Sequence, residues 1–134
     1  MARKTADYKV IIVGPPSAGK TCLIERFNNG TFNSKTQETL GVSFVLKDAY
    51  GMYLALWDTA GQERYAALSS FYARDAAAAL ICYDITDGER FDELDKWYAY
   101  LQNAPKTCQH ILIGRYSHLG CLCHLCQSTL GAQF

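Results

Sequence analysis

Gly14-Pro15-Pro16-Ser17-Ala18-Gly19-Lys20-Thr21 follows directly on Val10-Ile11-Ile12-Val13, an apolar run with the composition of a buried strand, and precedes a helix-forming stretch over residues 22–27. The pattern is G-x-x-x-x-G-K-[ST], a phosphate-binding loop, and the strand before it and helix behind it supply the context that gives the pattern meaning. Its residue types follow from its chemistry. Gly14 and Gly19 permit a tight turn in which successive backbone N–H groups point inward at the start of a helix, forming a nest for anions. Lys20 neutralises β- and γ-phosphates, and the Thr21 hydroxyl is suited to Mg²⁺.

Working outward, the 134 residues make one domain with 49% hydrophobic residues, enough for a real core. Thirteen basic and thirteen acidic residues cancel without a Lys/Arg cluster, which argues against nucleic acid as a partner. No apolar stretch reaches membrane-spanning length and no secretory apolar core follows Met1, so a cytoplasmic protein with reduced thiols is expected. Cys22, Cys82 and Cys108 are scattered, whereas Cys121, Cys123 and Cys126 crowd around His124. That spacing matches no common structural zinc site and lacks a second knuckle.

Residues 28–41 are polar and read as a long connection. Residues 42–47 and 52–57 are strand-like and flank Asp48-Ala49-Tyr50-Gly51, a hairpin turn. Residues 67–74 read as a short helix, and residues 76–83 as a central strand despite four consecutive alanines. Phe91, Leu94, Trp97, Tyr98 and Leu101 recur at helical spacing, predicting one amphipathic helix over residues 88–103. Residues 109–113 are the next strand. The alternation gives an α/β fold with a mostly parallel sheet and one antiparallel edge hairpin. Ligands of such sheets bind at the carboxyl ends of the strands, which places Asp58, emerging from an apolar strand, near the phosphate loop as a second metal-side residue.

Trp57-Asp58-Thr59-Ala60-Gly61-Gln62-Glu63 resembles the signature of Ras-superfamily small GTPases, and the wider match is to the Rab branch. Leu40-Gly41-Val42-Ser43-Phe44 is similar to the Rab segment after the first switch, Glu63-Arg64-Tyr65 and Phe71-Tyr72 to the second switch region, and Tyr83-Asp84-Ile85-Thr86 to the stretch that follows. The resemblance covers residues 8–114. It implies the P-loop small GTPase fold, GTP and GDP as substrate and product, and Mg²⁺ as cofactor. Nucleotide contacts would come from Gly14, Pro15, Pro16, Ser17, Ala18, Gly19, Lys20, Thr21 and Cys22. Phe32 would lie against the base; Thr39 would serve both metal and γ-phosphate; Gly61 would reach the same phosphate. The implied metal ligands are Thr21, Thr39 and Asp58. Gln62 would orient the attacking water, hydrolysis being slow until an activating protein assists. Phe44, Trp57 and Tyr72 would meet effectors, and the switch loops would meet exchange factors and activating proteins. The residues alone leave second readings open: core packing for Phe44, Trp57 and Tyr72, and ordinary loop packing for Phe32.

The sequence departs from the family in two places. Pro15 and Pro16 stand where glycine or small polar residues are usual, and proline has no N–H to donate to phosphate. After the strand ending at Gly114, Arg115-Tyr116-Ser117-His118 replaces Asn-Lys-x-Asp. Charge-assisted bonds contribute roughly 1.5 to 3 kcal/mol each, so losing the guanine-reading carboxylate implies about a hundredfold loss in affinity. The expected organisation is therefore a partial GTPase domain over residues 1–114 and a divergent Cys-rich tail over residues 115–134. The C-terminal part of the fold is expected to be missing, as in a truncated or alternatively spliced chain, with one sheet edge uncovered. The chain ends Gly131-Ala132-Gln133-Phe134, so no stable lipid anchor is expected, although relatives act on endomembrane surfaces. The leading expectation is a molecular switch in vesicle trafficking and protein transport. Its alternatives are a non-catalytic form binding Rab partners and a P-loop phosphohydrolase with relaxed base choice.

Overall fold

A computed structural model describes residues 5–33, 35–61 and 70–115 and the backbone of residues 124–126. Its centre is β1 (Tyr8–Val13), whose last three residues are fully buried. It pairs in parallel with β3 (Met52–Thr59) on one side and β4 (Ala78–Asp84) on the other. β2 (Val42–Ala49) borders β3 in antiparallel register, and β5 (Gln109–Arg115) runs parallel to β4. The order β2-β3-β1-β4-β5 therefore reverses direction of travel at β1, and the crevice beyond its carboxyl end is where such a sheet receives a ligand.

Strand alternation divides the core. Ile11 and Val13 point to one face, where they meet Ala79, Ile81, Trp97 and Leu101. Ile12 points to the other, against Ala18, Leu56, Cys82 and Ile24 of α1 (Lys20–Asn29). The mostly parallel α/β sheet and its edge hairpin are as the sequence predicts. The hairpin turn is tighter, only Tyr50 and Gly51, both with positive φ (55° and 80°). This two-residue connection suits the right-handed twist of the paired strands.

Two features differ from the sequence reading. The single helix expected over residues 88–103 is broken into α2 (Gly88–Phe91), α3 (Leu94–Ala99) and a 3₁₀ turn (Tyr100–Asn103). Only Trp97 and Leu101 of the periodic set are buried, while Phe91 is 51% exposed and packs edge-to-face on Tyr83. A short, narrow buried stripe supplies little tertiary support for a continuous helix, and Gly88, Asp92 and Asp95 are poor helix formers. Secondly, the tail contributes β6 (His124–Cys126), antiparallel to Leu112, Ile113 and Gly114. The edge expected to be bare is thus paired along the second half of β5, and the sheet has a second antiparallel border. Of the helix expected over residues 67–74, residues 67–69 lie outside the described residues, residues 70–72 are helical and residues 73–74 form a turn.

No described helix is long and apolar enough to cross a membrane. Among the described residues, Cys22, Cys82 and Cys108 are not joined in disulfides and no cluster of His, Cys, Asp and Glu side chains is arranged to hold a metal. The side chains of the Cys121, Cys123, His124 and Cys126 group lie outside the described residues.

Candidate functional site

The turn from β1 into α1 is shaped by steric exclusion. Gly14 has φ 145°, and a Cβ there would stand 2.1 Å from the Cys82 carbonyl oxygen, so the loop can cross the end of β4 only as glycine. Ser17 and Gly19 are also left-handed, with φ 62° and 74°, and Gly19 caps α1 without a side-chain bond, leaving the first-turn N–H groups open. Pro15 and Pro16 give no N–H groups but do present carbonyls. Pro15 accepts from Lys20 Nζ at 2.8 Å, and Pro16 accepts from Arg90 Nη1. Lys20 Nζ also donates to the Gly14 carbonyl at 2.9 Å. Lys20 is 5% exposed. Burial lowers its pKa to about 8, opposed by the charges of Cys82, Asp58 and Glu38 and reinforced by Arg90. A buried cation of this kind is completed by an anion.

Asp58 is delivered by the β1–β3 ladder, which sets it opposite Ile12, two residues before Gly14. Three elements converge on its carboxylate. Thr21 Oγ1, from α1, donates to Asp58 Oδ2 at 2.6 Å; Thr39 Oγ1, from the long connection, lies 2.7 Å from Thr21 Oγ1 and 3.3 Å from Asp58 Oδ2. Burial raises the Asp58 pKa, opposed by the Thr21 bond and the Lys20 charge. Asp58 Oδ1 is buried without a hydrogen-bond partner. Two hydroxyls and one carboxylate, one of whose oxygens is without a partner, form an all-oxygen donor set that fits Mg²⁺.

Gly61 closes the loop after β3 onto the phosphate loop. Its Cβ would meet the Pro16 nitrogen at 2.5 Å and Lys20 Nζ at 2.6 Å, so no side chain is tolerated there. Ala60 N–H donates to the Gly41 carbonyl at 2.8 Å, tying this loop to the connection that carries Thr39. Lys20, Thr21, Thr39 and Gly61 border a cavity of about 460 Å³ that also includes Pro16, Ser17, Gly19, Cys22, Phe32 and Arg115. Phe32 is 45% exposed. Cys22 Sγ donates to Thr36 Oγ1 at 3.5 Å, which holds the connection against α1.

A sequence model of the Ras family matches residues 9–121. The chain is a Rab-like member of that family. It is 40% identical over 120 residues to the Ras-related protein RGP1 of Oryza sativa, covering 86% of this chain and 53% of the relative. It is 40% identical over 118 residues to the human Ras-related protein Rab-12, covering 83% and 48%, and 36% identical over 121 residues to the GTP-binding protein ypt2 of Schizosaccharomyces pombe, covering 85% and 60%. The chain thus spans about half the length of the curated relatives it matches.

Of the sequence-derived residues, the fold brings Lys20, Thr21, Thr39, Asp58 and Gly61 together around the phosphate loop, and Cys22 and Phe32 line the cavity beside them. Gln62 lies outside the described residues. Phe44, Trp57 and Tyr72 form a contiguous aromatic surface: Phe44 meets Trp57 edge-on at 5.1 Å between centroids, and Trp57 stacks on Tyr72 at 4.9 Å. Phe44 is 53% exposed, while Trp57 is half-buried against the core. Exposure therefore differs by residue along this row. Two residues were missed by sequence reasoning, Arg115 and Arg90, because each reaches the phosphate loop across the fold from more than seventy positions away. Only the basic side chain in place of the usual asparagine gave any signal, and only for Arg115.

Proposed function

We propose that this chain binds a nucleoside triphosphate with Mg²⁺ and hydrolyses it to the diphosphate and phosphate, acting as a small GTPase switch in vesicle trafficking. The observation that carries the reading is the meeting of Thr21, Thr39 and Asp58 on one oxygen cluster beside the buried Lys20 and the phosphate loop. Gly14, Gly19 and the first turn of α1 hold the β-phosphate through backbone N–H groups, and Lys20 turns from the Gly14 and Pro15 carbonyls onto the phosphates. Thr21, Thr39 and Asp58 would hold the metal, which would supply positive charge against the phosphates.

Thr39 and Gly61 sit on separate loops that touch through Ala60 and Gly41. A γ-phosphate bonded by both would order the two loops together, and its loss would release them. Phe44, Trp57 and Tyr72 flank those loops and form the surface on which effectors, exchange factors and activating proteins would sense the change. Gln62 is proposed to orient the attacking water.

Titration with ribose-labelled GDP and GTP in Mg²⁺ buffer, followed by phosphate release under single turnover, tests this. Micromolar or tighter binding with slow release of phosphate is expected, and Gln62→Leu should retain binding while release falls at least tenfold. Binding without hydrolysis, with partner capture that ignores the nucleotide, would leave the non-catalytic partner-binding reading in its place.

A further inference from the structure

Lys20, Thr21 and Thr39 account for one part of the cavity wall. The same wall contains a charged group that the reading above does not use. Arg115, the last residue of β5, is 7% exposed, and its guanidinium lies so close over the phosphate-loop backbone that Nη1 stands 0.8 Å from where a Cβ on Gly19 would be. Nη1 donates to the Ala18 carbonyl at 3.0 Å, and Nε is buried without a partner. Arginine does not shed its charge and carries five N–H donors and no acceptor. A buried guanidinium N–H without an acceptor is costly unless something else completes it. Since the side chain lines the cavity, the missing acceptors are ones that a ligand can bring.

The same cavity indicates what kind of ligand. It presents an anion nest with a buried lysine, and on the same wall the half-exposed ring of Phe32 and the arginine. Phosphates joined to a planar ring suit that combination, provided that the ring shows acceptors to Arg115. A guanidinium fork matches adjacent O6 and N7 acceptors, the pairing arginine makes with guanine in a DNA groove. Adenine keeps N7 but sets an amino donor in place of O6, so donor faces donor. Reading the N1–H and 2-amino donors of guanine would take an acceptor such as a carboxylate. Among the described residues lining the cavity, the only carboxylate is Glu38, whose charge acts on Lys20 at the phosphate end.

We propose that Arg115 makes this a site for 6-oxopurine nucleotides as a class, taking guanine, hypoxanthine and xanthine with similar affinity and refusing adenine. The proposal rests on the nucleotide-binding reading above and names the determinant of its base choice. The 2-amino group goes unread. Xanthine, which is partly deprotonated at neutral pH, is held at least as well as guanine by the adjacent positive charge.

The test is competition of GDP, IDP, XDP and ADP, each with Mg²⁺, against a ribose-labelled guanine nucleotide on the full chain. The expected result is GDP and IDP within about threefold of one another, XDP equal or tighter, and ADP at least tenfold weaker. In Arg115→Ala the ADP penalty should shrink below threefold while GDP weakens about tenfold or more. Arg115→Lys, which keeps the charge but not the fork, should restore XDP more than GDP, and circular dichroism checks that each variant is folded. If the alanine variant does not fold, the wild-type series and the lysine variant decide. GDP more than tenfold tighter than IDP would mean that the 2-amino group is read and would overturn the proposal. So would equal binding of all four, or an Arg115→Ala loss that is the same for every base, which would make Arg115 a phosphate contact. If no nucleotide binds, the function proposed above fails and this inference falls with it; if nucleotides bind without base preference, only the inference fails.

Discussion

At the phosphate end of the cavity, residues from α1, the long connection and β3 converge within hydrogen-bond distance, and three glycines stand where any Cβ would collide with backbone, a proline ring or a buried guanidinium. Elsewhere on the cavity wall a single arginine reaches back from the last strand of the parallel sheet, and a single aromatic ring stands half-exposed. The first region is over-determined: moving one group disturbs partners on several elements. The second depends on one side chain, so its chemistry can change with one substitution while the sheet stays intact. A site built this way keeps its grip on phosphates while its choice of base drifts. The two regions still touch, because Arg115 lies in the space that Gly19 leaves empty.

The sharpest test of that division is removal of the phosphate-end cation. Lys20→Ala deletes a buried charge that would make charge-assisted bonds to two phosphates, each worth roughly 1.5 to 3 kcal/mol. Affinity should fall at least a hundredfold, and by the same factor for GDP, IDP and ADP. A loss that varied with the base would break the division.

Asp58→Asn comes next. It keeps the shape of the side chain but removes the charge on which Thr21 and Thr39 converge. Nucleotide dissociation measured with Mg²⁺ and with chelator should then differ little, whereas in the native chain Mg²⁺ should slow it ten- to a hundredfold, about 1.5 to 3 kcal/mol. The preference among bases should not move.

A third test needs no mutation. The free chain holds the Lys20 pKa at about 8 because burial disfavours the ammonium, and bound phosphate favours that same charged form. The complex therefore binds more protons than the free chain at alkaline pH, and affinity falls as pH rises through 8. From pH 7 to pH 9 the expected loss is about tenfold, and Lys20→Ala should flatten the profile. Arg90, whose charge pushes the Lys20 pKa down, enters the same balance: Arg90→Ala should move the onset of the loss to higher pH.

The phosphate end was legible in the sequence because its determinants are local and obligatory. Glycine at 14 and 19, lysine at 20 and an oxygen donor at 21 are dictated by backbone geometry and charge, and Asp58 follows from an apolar strand ending at the sheet's carboxyl edge. Helix periodicity was less informative: Phe91 and Tyr98 share spacing with Trp97 yet remain at the surface, because spacing records which residues can share a face and not how far the sheet extends beneath it. The pairing of β6 was not legible, since three residues of mixed polarity carry no strand pattern and the pairing depends on an open neighbour. Arg115 was visible only as a departure. That it folds back over Gly19 is a tertiary fact, set by the β4–β5 register, which brings Arg115 level with Asp84.

The smallest effect belongs to Phe32. Its ring is the only aromatic surface among the described residues of the cavity wall, 45% exposed and supported by little else. Stacking on a base contributes about 0.5 to 1.5 kcal/mol, so Phe32→Ala should weaken every purine nucleotide two- to tenfold. Because every base has a ring face, the loss should be equal for GDP and ADP, in contrast to Arg115→Ala, which should weaken GDP more. Phe32→Tyr should bind like the native chain. Measured together, the two substitutions separate contact with the face of the base from contact with its edge; an equal loss at Phe32 beside a base-dependent loss at Arg115 would place all of the discrimination in one guanidinium, whereas a Phe32→Ala loss confined to GDP would mean that the aromatic ring, and not the arginine, positions the base.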